Sequence, residues 1–160
     1  MSEAERGGSV ARVRAALAAA GHPDTITVFP RSTRTAAEAA AAVGCTVSQI
    51  AKSIVFRAEG RAAVVITSGA NRVDPAKAAA ALGVRLARAD ADFVRAATGF
   101  AIGGVAPVGH LTPPLILLDE DLLALDPIWA AAGSPAHVFR TSAAELQRIS
   151  GGKIASVKAG

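Results

Sequence analysis

Strand-like apolar segments alternate with capped helical segments along this chain, and that alternation constrains its fold most strongly. Two apolar runs, at residues 50–57 and 62–67, flank a Glu-Gly pair that is typical of a hairpin turn. A second pair of apolar runs meets across the Gly-Ser-Pro sequence at residues 133–135. Alternation alone favours a parallel sheet, whereas hairpins join antiparallel strands. We therefore predict an α/β or α+β fold with a mixed sheet.

Helix boundaries are marked by capping signals. Thr35 with Glu38 forms a capping box, and Asp74 precedes a proline at the first helical position. We predict helices at residues 9–20, 35–43, 76–82, 90–97 and 142–149, a helical turn at 46–49, and further strands at 25–29, 84–87, 115–118 and 153–157. No repeat or linker divides the chain, so residues 1–160 are predicted to form a single domain.

Composition excludes several classes of protein. Hydrophobic residues make up 51% of the 160 residues, which suffices for a core, but the alanine runs lack the bulk of a membrane span. Residues 1–8 lack the apolar segment of a secretory signal, so a cytoplasmic location is expected. Cys45 is the single cysteine, which excludes an internal disulfide and favours a core position. No metal or other cofactor is expected.

Net charge is +4 and the sequence pI is near 10.0, with the basic residues scattered. A polyanionic partner is compatible with this balance but not required by it. Arg31, Arg34 and Arg72 lie in predicted loops, where they could contact phosphate or ribose or could simply be solvated.

Lys52 lies within the predicted strand 50–57, where side chains alternate between two faces. The alternation places Lys52 with Ile50, Ile54 and Phe56 on an apolar face. An ammonium group there must reach water, find a partner, or point into a cavity that holds a polar ligand. The pattern leaves a snorkelling lysine and a functional lysine open.

The segment GGVAPVGH at residues 103–110 combines three glycines with a proline. Such a loop leaves backbone N–H groups uncovered and can cradle a carbonyl or an oxyanion, although an ordinary surface loop has the same composition. His110 could be a base, an RNA contact or a plain loop residue. Ser134, in the second hairpin, could face a pocket or serve only the turn.

Four segments, taken in order, resemble the YbaK/ProX family of free-standing aminoacyl-tRNA editing domains, over nearly the whole chain. They are residues 35–45, IAKSIVF at 50–56, the Ser-Gly and Arg-Val-Asp pattern at 68–77, and residues 103–110. The resemblance implies a mixed, partly barrel-like sheet surrounded by helices, as in the editing insertion of bacterial prolyl-tRNA synthetases. It also implies hydrolysis of the ester between a wrong amino acid and tRNA, without a metal.

Site residues follow from the same resemblance. Lys52 matches the family's essential lysine, which orients the charged 3′ end and is expected to be catalytic here. Arg31, Arg34 and Arg72 are expected to contact tRNA. The expected substrate-binding residues are Phe29, Ser53, Ser68, Gly69, Gly103, Gly104, Val105, Pro107, Gly109, His110 and Ser134.

The implied substrate is tRNA for proline carrying a small wrong amino acid such as alanine. Ser53 stands where some branches that remove alanine carry asparagine, so the amino acid is not decided by the motif. Prolyl-tRNA synthetase is a candidate partner, and the protein is expected to be a monomer or a homodimer. The alternatives are a non-catalytic RNA-binding module that uses the same pocket, and a regulatory domain with a vestigial pocket.

Overall fold

The computed structural model describes residues 8–160, so most of the segment examined for a secretory signal lies outside the described residues. One mixed sheet of eight strands is surrounded by helices. The strands are β1 (Ile26–Val28), β2 (Ile50–Ala58), β3 (Arg61–Ser68), β4 (Ala87–Arg88), β5 (Leu115–Asp119), β6 (Ile128–Ser134), β7 (His137–Thr141) and β8 (Lys153–Ala155). The helices are α1 (Ser9–Ala19), α2 (Ala36–Val43), α3 (Pro75–Leu82), α4 (Ala91–Thr98) and α5 (Ala143–Ser150).

Strand β2 lies at the centre of the sheet, whose order is β1-β7-β6-β2-β3-β5-β8 with β4 also paired to β2. Both predicted hairpins are present, since β2 and β3 are antiparallel and so are β6 and β7. The pairs β2–β6, β3–β5 and β5–β8 are parallel. The prediction of a mixed sheet is therefore confirmed.

The predicted capping signals also hold. The Thr35 side chain accepts a hydrogen bond from the Glu38 N–H, and the Asp74 side chain accepts one from the Ala76 N–H. Gly44 and Gly83 end their helices in the left-handed conformation that glycine adopts without strain. Sequence-local chemistry thus sets the helix boundaries.

Two local predictions need correction. The strand expected at residues 84–87 is observed as Ala87–Arg88, because pairing with β2 rather than local propensity selects the residues. A 3₁₀ helix at Glu120–Ala124 was not predicted. Cys45 is only half-buried, packing at the margin of a small apolar cluster.

The main core lies on the face of β2 that carries Ala51 and Val55. Ile50 and Phe56, which share the opposite face with Lys52, pack in two smaller clusters. The apolar face predicted for Lys52 is therefore real but is not the face of the main core. Because β2 is a central strand, both of its faces are covered, and residue alternation could not distinguish them. Among the described residues, no helix is long and apolar enough to cross a membrane.

A buried carboxylate joins β3 to the end of β5. Asp119 is 1% exposed and accepts hydrogen bonds from the Thr67 hydroxyl at 2.8 Å, the Ser68 N–H at 3.1 Å and the Asn71 amide at 2.8 Å. Its other oxygen accepts the Asp121 N–H at 2.9 Å. Burial would raise the pKa of Asp119, but these hydrogen bonds outweigh it and lower the pKa below its usual value.

Replacing Asp119 with Asn should therefore destabilise the fold at neutral pH. The amide would oppose donors with a donor, so we expect a loss of about 2 to 4 kcal/mol in the free energy of unfolding. A lowered pKa in the folded state means that the carboxylate's contribution is complete above the unfolded value of about 3.9 and disappears as the pH falls through the folded pKa.

Urea unfolding at pH 7 and pH 3 measures both effects, with the exposed neighbour Glu120→Gln as the control. The difference between wild type and Asp119→Asn should shrink at pH 3. A difference that stays constant between the two pH values would contradict the role given to the charge.

Candidate active site

A cavity of about 230 Å³ opens beside β2, where the strand's second edge is only partly paired. Along this edge β6 pairs with Ile50 and Ala51, and β4 pairs with Phe56 and Arg57. Within residues 8–160, no strand pairs with the interval between them. The cavity is lined by Thr33, Arg34, Thr35, Ala36, Ala39, Ile50, Ala51, Lys52, Ser53, Ile54, Ile102, Gly103, Val105, Trp129, Ala131, Ser134, Pro135, His137 and Val138.

The electrostatic character of this cavity is positive. Lys52 and Arg34 both line it, and among residues 8–160 its lining contains no Asp or Glu side chain. No carboxylate within residues 8–160 forms an ion pair with Lys52. A half-buried lysine on the wall of a concave site, without a counter-ion, is placed to meet a phosphate or carbonyl oxygen of a ligand.

The glycine-rich loop forms part of the cavity wall, and most of it is buried. Residues 104–108 are buried, and Gly103 and Val105 line the cavity. A Cβ atom on Gly104 would lie 2.6 Å from the Cα and 2.7 Å from the carbonyl carbon of Ser134. Only glycine permits this approach, so the loop and the β6–β7 hairpin are interlocked at the cavity.

Arg12 of α1 holds the base of the same loop. Its guanidinium donates to the Gly99 carbonyl at 2.8 Å and to the Gly109 carbonyl at 3.2 Å, and it lies 5.0 Å from the centre of the Phe100 ring. The two carbonyls lie on either side of the segment that reaches the cavity. Arg12 therefore fixes both ends of the loop.

His110 lies behind this wall rather than in the cavity. Its Nε2 donates to the Ala106 carbonyl at 2.6 Å, and its ring packs edge-on against Phe100. Burial lowers the pKa of His110, and the hydrogen bond to the Ala106 carbonyl opposes that shift. The positive charge of nearby Arg12 lowers the pKa further. His110 is thus a neutral residue that closes the loop, and it does not line the cavity.

The β6–β7 hairpin contributes a Ser–His pair. Ser134 Oγ lies 2.6 Å from His137 Nδ1, and it accepts the Ala136 N–H at 3.0 Å. Depending on the tautomer of His137, either the Ser134 hydroxyl donates to Nδ1 or Nδ1–H donates to Ser134 Oγ. Either hydrogen bond ties the two ends of the hairpin turn together, so Ser134 does more than form the turn.

Ser53 differs from the other hydroxyl-bearing residues of the lining. Its Oγ is buried and has no hydrogen-bond partner among the described residues. Ser53 also lines a smaller adjoining pocket, together with Ile102, Gly103 and Val105. A buried hydroxyl without a partner costs stability, which makes it a candidate for contact with a ligand.

The structure brings some of the predicted site residues together and leaves others apart. Lys52, Ser53, Gly103, Val105, Ser134 and Arg34 line the cavity. Phe29 is buried in the cluster behind the wall, and Gly104 fixes the loop. The cavity lining does not include Ser68, Gly69, Pro107, Gly109, His110, Arg31 or Arg72.

The residues near the start of β2 explain part of this separation. Ser68 is buried and donates to the Ser48 carbonyl at 2.7 Å, and the Gly69 N–H donates to the Ile50 carbonyl at 2.6 Å. These contacts support the strand that carries Lys52. Arg31 and Arg72 are exposed, outside the cavity.

Sequence reasoning missed His137 and Trp129. His137 is 5% exposed and Trp129 half-buried, yet both line the cavity. The sequence does hold a signal for His137, which follows Ser134 by three residues and can reach the Ser134 hydroxyl across the turn. Within the described range, no group of three or more His, Cys, Asp or Glu residues could hold a metal ion.

Comparison with known proteins agrees with this geometry. The chain is 31% identical over 130 residues to the uncharacterized protein YwhH of Bacillus subtilis (strain 168), covering 81% of this chain and 83% of that protein. It superposes with a TM-score of 0.89 on a proposed trans-editing enzyme for prolyl tRNA synthetase, at 47% identity over 95% of this chain and 98% of that one.

A second solved structure, the hypothetical protein APE2540, superposes with a TM-score of 0.85 at 26% identity, covering 92% of this chain and 99% of that chain. The family model of the aminoacyl-tRNA editing domain matches residues 30–149, which include Lys52, the glycine-rich loop and the Ser134–His137 pair. The resemblance inferred from the motifs is thereby confirmed, and the chain belongs to the aminoacyl-tRNA editing domain family.

Proposed function

We propose that this protein deacylates mischarged aminoacyl-tRNA, most favourably tRNA for proline that carries a small wrong amino acid such as alanine. The observation that carries the proposal is the cavity itself, in which Lys52, without a carboxylate partner among residues 8–160, shares the lining with the interlocked glycine-rich loop. We place the reaction in the cytoplasm, with prolyl-tRNA synthetase as a candidate partner.

The reaction is hydrolysis of an ester. The oxygen of water bonds to the ester carbonyl carbon, the bond from that carbon to the ribose oxygen breaks, and a proton passes to the ribose oxygen. The products are the free amino acid and uncharged tRNA. Negative charge develops on the carbonyl oxygen during this step, and donors fixed in advance can stabilise it.

Lys52 is suited to hold the 3′ end of the tRNA in this reaction. Its ammonium group would meet a phosphate or a carbonyl oxygen without first breaking a salt bridge within the described chain. Arg34 on the same lining would add to the attraction. Arg31 and Arg72, exposed outside the cavity, are proposed contacts to more distant parts of the tRNA.

The preference for a small amino acid is supported by the size and lining of the cavity. A volume of about 230 Å³ must hold both the amino acid and part of the terminal adenosine. The proposed trans-editing enzyme for prolyl tRNA synthetase, 47% identical to this chain, supports tRNA for proline as the carrier. Pocket contacts discriminate single methylene groups by a factor of about 10 to 200.

Replacing Lys52 with Ala should abolish turnover without unfolding the protein. We expect release of amino acid from alanyl-tRNA for proline to fall at least about 100-fold, as for loss of a positioned polar group in an active site. The measurement compares tRNA for proline charged with alanine, cysteine, serine or proline.

Lys77→Ala is the matched control, since Lys77 is exposed on α3, does not line the cavity and donates to the Lys158 carbonyl. Full deacylation by Lys52→Ala would contradict the role of Lys52. No turnover of any charged tRNA by the wild type, with retained binding, would instead favour the RNA-binding module.

Replacing Gly104 with Ala should displace the glycine-rich loop from Ser134. Because the new Cβ would lie only 2.6 Å from a backbone atom, the wall must shift, and we expect deacylation to fall about 100-fold. Gly60→Ala is the control, since a Cβ there meets nothing within 4 Å. Equal activity of the Gly104→Ala and Gly60→Ala variants would show that the interlock does not matter for the reaction.

A further inference from the structure

The cavity lining is rich in hydrogen-bond donors and poor in acceptors. Lys52, Arg34 and the Trp129 indole can only donate, and the lining that the structure describes has no carboxylate. The oxygens of an aminoacyl ester, its ribose and its phosphate are all served by donors. The α-amino group of the amino acid is different, because it carries hydrogens that need an acceptor.

Most hydroxyl groups of the lining are already engaged. The Thr33 hydroxyl donates to the Pro135 carbonyl at 3.0 Å, and Thr35 Oγ1 accepts the Glu38 N–H at 3.1 Å. Ser134 is paired with His137. Ser53 Oγ is the lining hydroxyl that has no partner among the described residues, and it is buried.

The backbone carbonyl of Ser53 is also placed to accept a hydrogen bond from a ligand in the cavity. The hydrogen bond from the Gly69 N–H to the Ile50 carbonyl shows which residues of β2 are hydrogen-bonded to β3. The even-numbered residues of β2 direct their backbone N–H and C=O groups toward β3. Odd-numbered residues point to the other edge. Ala51 meets β6 there and Arg57 meets β4, while Ser53 lies in the interval that the cavity occupies.

We propose that Ser53 binds the α-amino group of the aminoacyl ester, with its Oγ and its edge-facing carbonyl as acceptors. The inference rests on the proposed deacylation and assigns the residue by which the site distinguishes an aminoacyl ester from a simple acyl ester. Ser53 thereby positions the ester carbonyl between Lys52 and the glycine-rich wall. The partnerless hydroxyl costs stability in the free protein and gains its hydrogen bond in the complex.

The test compares two esters of the same tRNA for proline, alanyl and propionyl, which differ only in the α-amino group. The wild type should prefer the alanyl ester in kcat/KM by about 10- to 100-fold beyond the ratio of the two uncatalysed hydrolysis rates, as expected for a hydrogen bond to a charged or strongly polar group. In Ser53→Ala the preference should fall to within about twofold of that uncatalysed ratio, through loss on the alanyl ester alone.

A stability measurement separates this role from a structural one. Because Ser53 Oγ has no partner within the described fold, Ser53→Ala should leave Tm unchanged or raise it. Ser53→Cys, which keeps the size of the side chain with a weaker acceptor, should lose the same preference. This second variant shows whether hydrogen bonding or volume is responsible.

Three results would overturn the inference. They are an equal loss on both esters in Ser53→Ala, an unchanged preference in that variant, and a wild-type preference no greater than the uncatalysed ratio. Each leaves deacylation itself intact. A wild type that hydrolyses no aminoacyl or acyl ester would remove the proposed function, and the inference with it.

Discussion

Strand β2 must satisfy two different neighbours along one edge, and the site depends on that constraint. On its other edge β2 pairs with β3 over its whole length. On the cavity side β6 runs parallel to its first residues and β4 antiparallel to its last pair. Residues 52–55 lie between these two pairings, and no strand of the described chain pairs with them on this edge. The cavity occupies this interval, with Lys52 and Ser53 on the strand beside it.

The glycine-rich loop keeps its shape because two other elements hold it in place. Gly104 contacts the backbone of Ser134, and Arg12 binds the carbonyls of Gly99 and Gly109. Arg12 belongs to α1, which precedes the region matched by the family model at residues 30–149. The geometry of the site therefore depends on a helix outside the segment that identifies the family. Such support fixes the backbone before a ligand arrives, which lowers the cost of ordering on binding.

Local chemistry predicted the elements better than it predicted their arrangement. The caps at Thr35 and Asp74 and both hairpins could be read from neighbouring residues, because the interactions that form them lie within a few positions. The pairing of β4 with β2 and the burial of residues 104–108 depend on contacts distant in sequence. The sequence left the role of His110 open, because its contacts with Phe100 and Ala106 form only when the loop folds back on itself.

The lining also bears on how the ester is attacked. The nitrogen Nδ1 of His137 is hydrogen-bonded to Ser134, His110 lies behind the wall, and the described part of the lining has no carboxylate, so the described side chains that face the cavity are chiefly donors. Donors stabilise developing negative charge but do not take a proton from water. In the proposed deacylation, these donors would hold the ester and polarise its carbonyl, with proton transfer left to water or to the hydroxyl of the substrate's own ribose. Orientation would then carry the greater share of the catalysis, which fits the contacts that Gly104 and Arg12 make to hold the glycine-rich loop in place.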